Sequence, residues 1–393
     1  MMPPFTTITP DALARELAEL GRQGAAAVQA LSRIDPDTVE VGFSPKEAVW
    51  SSERVTLYRY TPVVENPGPV PLLISYALVN RPYMVDLQPG RSLVESLLAL
   101  GVDVYLVDWG YPTRADRWLT LDDYINGYLN DCVDVIRERS GQEAIDLLGI
   151  CQGGTFSMCY AALEPHKVRN LITMVAPVDF HADAGPDCGL LNVWARHMDI
   201  DAMVDGLGNI PGDFMNFGFV LLKPLQLNVA KYASLVEAGG DERALVNFLR
   251  MEKWIFDSPD QAGEAYRQFL KDFYQANKLI KGEVEIGGRR VDLKNLTMPI
   301  LNIYAELDHL VPPACSRALA DHVGTADYTE RSFPVGHIGM YVSGKVQKAL
   351  PATLVEWLDG RTASSAPAAT PTTARPSGSA GKPAASTPPG GDA

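Results

Sequence analysis

Three residues in this chain have the types and the spacing to transfer an acyl group. Cys151 stands in Gly149-Ile150-Cys151-Gln152-Gly153, Asp308 in ELDHLVPP and His337 in VGHIGM. A thiol attacks as its thiolate, so it needs a base, and a histidine base needs a carboxylate to hold its ring. The glycines on either side of the cysteine suit a sharp turn, where side chains two residues before and after would strike nearby backbone, and Gly154 extends that allowance. A cysteine is also a small core hydrophobe, and the five-residue pattern by itself leaves that reading open. Six histidines compete for the base: 166, 181, 197, 309, 322 and 337. His322 falls within a helical pattern and His166 follows Pro165 at a helix end, which suits capping. His309 is a rival because it neighbours Asp308, although adjacent residues point apart and one loop seldom supplies both acid and base.

The elements that would bring these residues together follow from the hydrophobic pattern. RVTLYRYTP (54–62) alternates as an outer strand does, while PLLISYAL (71–78) and VDVYLVDW (102–109) are solid enough for buried parallel strands. Between the last two, SLVESLLALG (92–101) has the Ser and Gly boundaries of a crossover helix. TLDDYINGYLNDCVDVIRERS (120–140) reads as a helix, AIDLLGI (144–150) as a strand, 153–163 as a helix and VRNLITMVAP (168–177) as a strand. The same rhythm returns at MPILNIYAE (298–306), PPACSRALADHV (312–323), YTERSFP (328–334) and KVQKALPATLVEWL (345–358). Strands alternating with helices imply a doubly wound, mostly parallel sheet. Cys151 then sits at a strand-to-helix turn, where the helix N-terminus favours a thiolate. Asp308 and His337 follow later strands in the chain order of the α/β-hydrolase fold. That fold expects one oxyanion donor at the backbone N–H of Gln152 and another in the loop Val79-Asn80, where Asn80 reads equally well as a turn residue. Tyr83, Asp86 and Trp109 flank these loops and suit packing or capping.

The expected organisation is an N-terminal helical segment (1–44), a first core part (45–179), a helical insertion forming a cap or lid (180–296), a second core part (297–360) and a tail (361–393). The insertion is rich in Trp, Phe and Met, and its stretch 278–290 reads as a solvated hairpin whose basic residues offer a second, phosphate-binding reading. The tail contains no aromatic residue and no Leu, Ile, Val or Met, so it has almost nothing to bury and is expected to be disordered.

Charge narrows the function. Lys and Arg number 34 against 48 Asp and Glu, a formal charge of −14, which opposes nucleic-acid binding. The five cysteines (132, 151, 159, 188 and 315) are scattered without the close pairs of metal ribbons, so we expect no disulfide framework, no metal and a cytoplasmic location. The first residues lack the pattern of a secretory signal, and no run of about 18 apolar residues offers a membrane span.

The segments LLGICQGGT, VDVYLVDWGYP, LDDYINGY, MVAPVDF, YAELDHLVPP and VGHIGMYVSGKVQKALPATLVEWL together resemble the polyhydroxyalkanoate synthases, from about Pro45 to Leu358. The short region before Pro45 is similar to the class III type, whose catalytic subunit works with a separate smaller, non-catalytic subunit. The low-complexity tail departs from the family pattern. The resemblance implies Cys151 as acyl carrier, His337 as general base, Asp308 as third catalytic residue and Val79-Asn80 as oxyanion segment. It also implies polymerisation of (R)-3-hydroxyacyl-coenzyme A, mainly 3-hydroxybutyryl, with release of coenzyme A. No cofactor is expected, since coenzyme A arrives as the substrate thioester. A homodimer and association with polyester granules follow from the same resemblance. Two alternatives stay open: a cysteine-nucleophile hydrolase of the same fold, dienelactone-hydrolase-like or a thioesterase, and a catalytically silent granule scaffold.

Overall fold

The computed structural model describes residues 10–182, 190–222, 235–236 and 241–362. An eight-stranded sheet organises them, in the order β1-β2-β4-β3-β5-β6-β9-β10. Its strands are β1 (Lys46–Ser52), β2 (Val55–Tyr60), β3 (Leu72–Ser75), β4 (Val104–Asp108), β5 (Ile145–Ile150), β6 (Val168–Met174), β9 (Ile300–Ala305) and β10 (Tyr328–Phe333). β1 and β2 pair antiparallel, as do β2 and β4, and every later pair is parallel. β3 and β5 are buried along their whole length, which is why they read as unbroken apolar runs. Period-two geometry divides their side chains between two faces. Leu73, Leu147 and Leu171 join the cluster under α3 (Asn130–Ser140) and α4 (Gln152–Leu163), whereas Leu72, Ile74, Leu148 and Ile172 face α2 (Leu93–Ala99) and the C-terminal helix.

Local signals behave as the sequence requires in several places. Ser92 caps α2 by accepting the Glu95 N–H at 2.9 Å, and Gly101 takes the left-handed φ of 86° after its end. Elsewhere the structure differs from expectation. β1 is an additional edge strand. The 120–140 helix opens as a π-helix over Asp123–Leu129, and the 312–323 helix is divided into Pro313–Arg317 and Leu319–His322. The C-terminal helix, Gly344–Thr362, continues past Leu358, and Arg361 stacks on Trp357 at 3.9 Å and ion-pairs with Asp327. The rest of the expected tail lies outside the described residues.

Between β6 and β9 the described residues are mainly helical: α5 (Leu190–His197), α6 (Ile200–Leu207), α7 (Gly212–Leu222), α8 (Glu242–Phe256), α9 (Gly263–Gln268) and a π-helix over Phe269–Gln275. A small hairpin follows, β7 (Glu285–Ile286) with β8 (Arg289–Arg290). The insertion is seated on the core through an aromatic edge, with the Phe269 ring 5.8 Å from that of Phe156 of α4. The N-terminal helix, α1 (Pro10–Leu31), packs on α8.

Candidate active site

Cys151 occupies the step between β5 and α4 with φ 54° and ψ −125°, a conformation that non-glycine residues adopt only when their surroundings enforce it. The surroundings do so. Its N–H donates to the Met174 carbonyl at 2.9 Å, and its own carbonyl accepts from Gly154 N at 2.9 Å. The glycines admit this close approach. A Cβ on Gly149 would lie 2.6 Å from Gly154 Cα, one on Gly153 2.3 Å from the Ser75 carbonyl oxygen, and one on Gly154 2.4 Å from Ala176 Cβ. Ser75 ends β3, so Gly153 is what lets α4 begin against the strand that leads into the Val79-Asn80 loop.

The histidine and the aspartate arrive from the other half of the sheet. Asp308 follows β9, and His337 stands in the turn after β10; both are buried, at 6% and 5% exposure. His337 Nδ1 and Asp308 Oδ2 are 2.7 Å apart. Asp308 Oδ1 accepts two backbone N–H groups, from Leu310 and Val311, each at 2.9 Å. A carboxylate so filled accepts rather than donates, so Nδ1 carries the proton and Nε2 is left to the Cys151 thiol, the other hydrogen-bonding neighbour of the ring. Burial alone would lower the pKa of His337, but the Asp308 carboxylate, and Cys151 once it has lost its proton, outweigh it and hold the imidazole well above its ordinary value. Tyr76 and Tyr341 pack beside the thiol with their rings 6.1 Å apart, and burial keeps both phenols protonated.

On the oxyanion side, the N–H groups of Gln152 and Val79 meet no protein acceptor among the described residues. The neighbouring Leu78 N–H is taken by the Gln152 side chain, whose Oε1 lies at 3.0 Å. Asn80 has φ 68°, and its amide donates to Ser258 Oγ of the insertion at 2.6 Å, so its side chain does not belong to the donor pair. Trp109 donates to the Tyr76 carbonyl at 2.8 Å, and Asp86 is a buried acceptor for Ser44 and Ser92, both in packing and capping roles. Tyr83 instead reaches Asp257 of the insertion. His166 pairs weakly with Glu164 at 3.8 Å on the surface. Sequence reasoning did not reach Asp257, Ser258 and Gln261, which touch the oxyanion loop. The described residues contain no His, Cys, Asp and Glu group able to hold a metal.

A mostly parallel sheet with a strained cysteine at a strand-to-helix step, followed by an aspartate and a histidine in that order, defines an α/β-hydrolase-fold protein. Residues 71–343 match the family described as alpha/beta hydrolase fold. The poly(3-hydroxyalkanoate) polymerase subunit PhaC of Synechocystis sp. is 61% identical, covering 92% of this chain and 96% of its own. Its counterpart in Allochromatium vinosum is 54% identical, over 90% and 99% respectively. The chain belongs to the poly(3-hydroxyalkanoate) polymerase PhaC family.

Proposed function

We propose that this chain polymerises (R)-3-hydroxyacyl-coenzyme A, mainly 3-hydroxybutyryl, into polyester through a thioester on Cys151. The observation that carries this reading is the Cys151–His337–Asp308 arrangement on a chain this similar to PhaC polymerase subunits. In loading, His337 Nε2 removes the thiol proton and Cys151 sulfur attacks the substrate carbonyl. The carbon–sulfur bond to coenzyme A breaks, and its thiolate leaves with that proton. The Gln152 and Val79 N–H groups receive the oxyanion. One thioester replaces another of similar energy, so the acyl group stays reactive; a serine ester would lie lower. In elongation a 3-hydroxyl attacks an acyl thioester while His337 takes its proton with Asp308 orienting the ring; the ester forms as the carbon–sulfur bond breaks, and the leaving thiolate recovers that proton from His337. Both oxygens of Asp308 are engaged, which favours that division of labour.

The insertion at 180–296 acts in this reading as a cap that keeps water from the acyl thioester. Exposed Phe214, Phe217, Leu221 and Phe256 on it support contact with a polyester surface. Granule association, a homodimer and a smaller class III partner subunit belong to the same proposal. No helix among the described residues is long and apolar enough to cross a membrane. The test is incubation with 3-hydroxybutyryl-coenzyme A, following thiol release and product size in the parent and in Cys151→Ala. Polymer from the parent and none from the variant is expected. Free 3-hydroxybutyrate as the sole product would establish the hydrolase alternative, and variant activity within about tenfold of the parent would remove Cys151 from the chemistry.

A further inference from the structure

The insertion holds the oxyanion loop from the end of α8, where Trp254 donates to the Arg81 carbonyl at 2.9 Å, and from the short stretch that follows it. Asp257 accepts the Tyr83 hydroxyl on one oxygen at 2.9 Å and the Tyr111 hydroxyl on the other at 2.6 Å. Ser258 Oγ accepts from Asn80 at 2.6 Å and donates to Asn216 of α7 at 2.9 Å, so the hydroxyl joins core to insertion with its proton and a lone pair both used. Gln261 donates to the Leu78 carbonyl at 3.1 Å. All of these core partners except Tyr111 lie within residues 78–83, the segment that carries the Val79 N–H. The stretch itself is fixed from behind: Asp260 accepts the Gly212 N–H at 3.0 Å, and a Cβ on Gly212 would lie 2.0 Å from the Ser258 carbonyl oxygen.

The core holds the far end of this segment through Arg81, which ion-pairs with Asp108 at 2.6 Å and donates to the Gly110 carbonyl at 3.1 Å, and leaves Leu78–Asn80 with fewer ties. β3 ends at Ser75, so residues 78–83 have no strand partner; Asn80 sits at φ 68°, and the attachment toward the nucleophile is the Gln152 side chain on Leu78 N. A left-handed asparagine relaxes unless neighbouring contacts determine it. Those contacts are supplied by the insertion.

We infer that residues 257–261 are a positioning clasp: seating the insertion fixes the Leu78–Asn80 backbone and so completes the oxyanion site at the moment the thioester is enclosed. This rests on the acyl-transfer reading above. An open insertion leaves Cys151, His337 and Asp308 intact but lacks one of two oxyanion donors, so acylation waits for closure and proceeds only where water has been excluded.

The experiment uses the full chain with Ser258→Ala, Asp257→Asn, Asn80→Ala and the Asn80→Ala/Ser258→Ala pair. Single-turnover coenzyme A release from 3-hydroxybutyryl-coenzyme A is measured beside amide exchange of residues 78–83 and iodoacetamide alkylation of Cys151. The clasp predicts about tenfold or greater slowing of acylation, the usual scale for disturbing one oxyanion donor, with substrate KM changed less. It also predicts faster exchange at 78–83, alkylation no slower than in the parent, and a pair variant no worse than the worse single variant. A purely structural role would lower the melting temperature without these local changes. Acylation within twofold of the parent, or unchanged exchange at 78–83, in folded Ser258→Ala overturns the clasp, and that variant decides the matter if Asp257→Asn does not fold. Failure of the parent itself to release coenzyme A would overturn the acyl-transfer reading instead, while the exchange and alkylation measurements would still judge the clasp.

Discussion

Replacing Asp308 with Asn changes one atom, and the structure dictates which one. The Oδ1 position accepts the Leu310 and Val311 N–H groups, and the Oδ2 position faces His337 Nδ1. With its oxygen kept at the first position, the amide NH₂ takes the second and donates to Nδ1, so the same three contacts survive. The flipped amide would press NH₂ against two N–H donors, stranding buried groups at about 1–3 kcal/mol each. The unflipped amide therefore wins, and it forces the imidazole proton onto Nε2, where it cannot accept from Cys151. Loss of the carboxylate charge also removes a cause that holds the His337 pKa up, so it falls below that of the parent. In a triad of this design, acid-to-amide replacement lowers turnover on the order of 10⁴-fold, about 5.5 kcal/mol. Both loading and elongation need the Nε2 lone pair, so single-turnover acylation and steady-state polymer growth are expected to fall by similar factors. Coenzyme A release measured in both regimes, with imidazole NMR titration and circular dichroism as controls, checks this. Activity within about tenfold of the parent in the folded variant refutes the tautomer argument. Loss confined to elongation would make Asp308 the base for the hydroxyl.

Gly153→Ala places a methyl 2.3 Å from the Ser75 carbonyl oxygen and 2.5 Å from that of Tyr76. Overpacking of this kind costs about 1–3 kcal/mol and here shifts the strand leading to the oxyanion loop, so thermal midpoint and coenzyme A release should both fall; a parent-like melting curve would contradict the contact. Asp146 is buried beside the Asn170 amide, and burial lifts its pKa to about 6. The fold thus prefers the protonated acid: this stabilisation is complete below the unfolded pKa near 4 and is lost as pH rises through about 6, by about 3 kcal/mol at most. Asp146→Asn should raise the denaturant midpoint at pH 8 and leave it unchanged at pH 4, and equal effects at both would refute the assignment. If a class III partner favours the competent state of the insertion, the isolated chain should polymerise slowly and with a lag, and adding the cognate small subunit should raise turnover by an order of magnitude or more. Full rate without lag would exclude that dependence.

The sequence disclosed most clearly what sterics enforce locally. Glycines at 149, 153 and 154 stand where a Cβ meets backbone or a neighbouring methyl, so their spacing marks the turn. β3, β5 and β9 are buried and read as strands; Asp308 and His337 were placed by chain order after β9 and β10. β1 went unread because its turn to β2 passes through Glu53 at φ 52°, a left-handed position without the Gly or Asn that normally announces a hairpin. The π-helical start of 120–140 has no separate signature in hydrophobic period. Asp257, Ser258 and Gln261 were invisible for another reason: DSPDQ reads as an ordinary turn, and its core partners lie 146 to 183 residues earlier. Only folding makes that loop part of the site.

The three groups of the site do not decide whether the acyl chain ends on water or on another hydroxyl. His337 serves either nucleophile equally, and a thioester accepts both. In the cap reading, selection therefore comes from what the insertion lets reach the thioester. Asp308 and His337 are already buried in the seated arrangement, and in the clasp reading the oxyanion donors are complete only there. Coupling closure to acylation makes the reactive thioester form where water is scarce, and the 3-hydroxyl that enters with the next monomer is then the nucleophile at hand. If so, the ratio of polymer to free 3-hydroxybutyrate is set by the Asn80–Ser258 and Gln261–Leu78 contacts rather than by the triad. Loosening those contacts should raise the hydrolytic share even as total turnover falls. A triad variant such as Asp308→Asn should lower both products together and leave their ratio unchanged, a contrast that separates the chemistry from the enclosure.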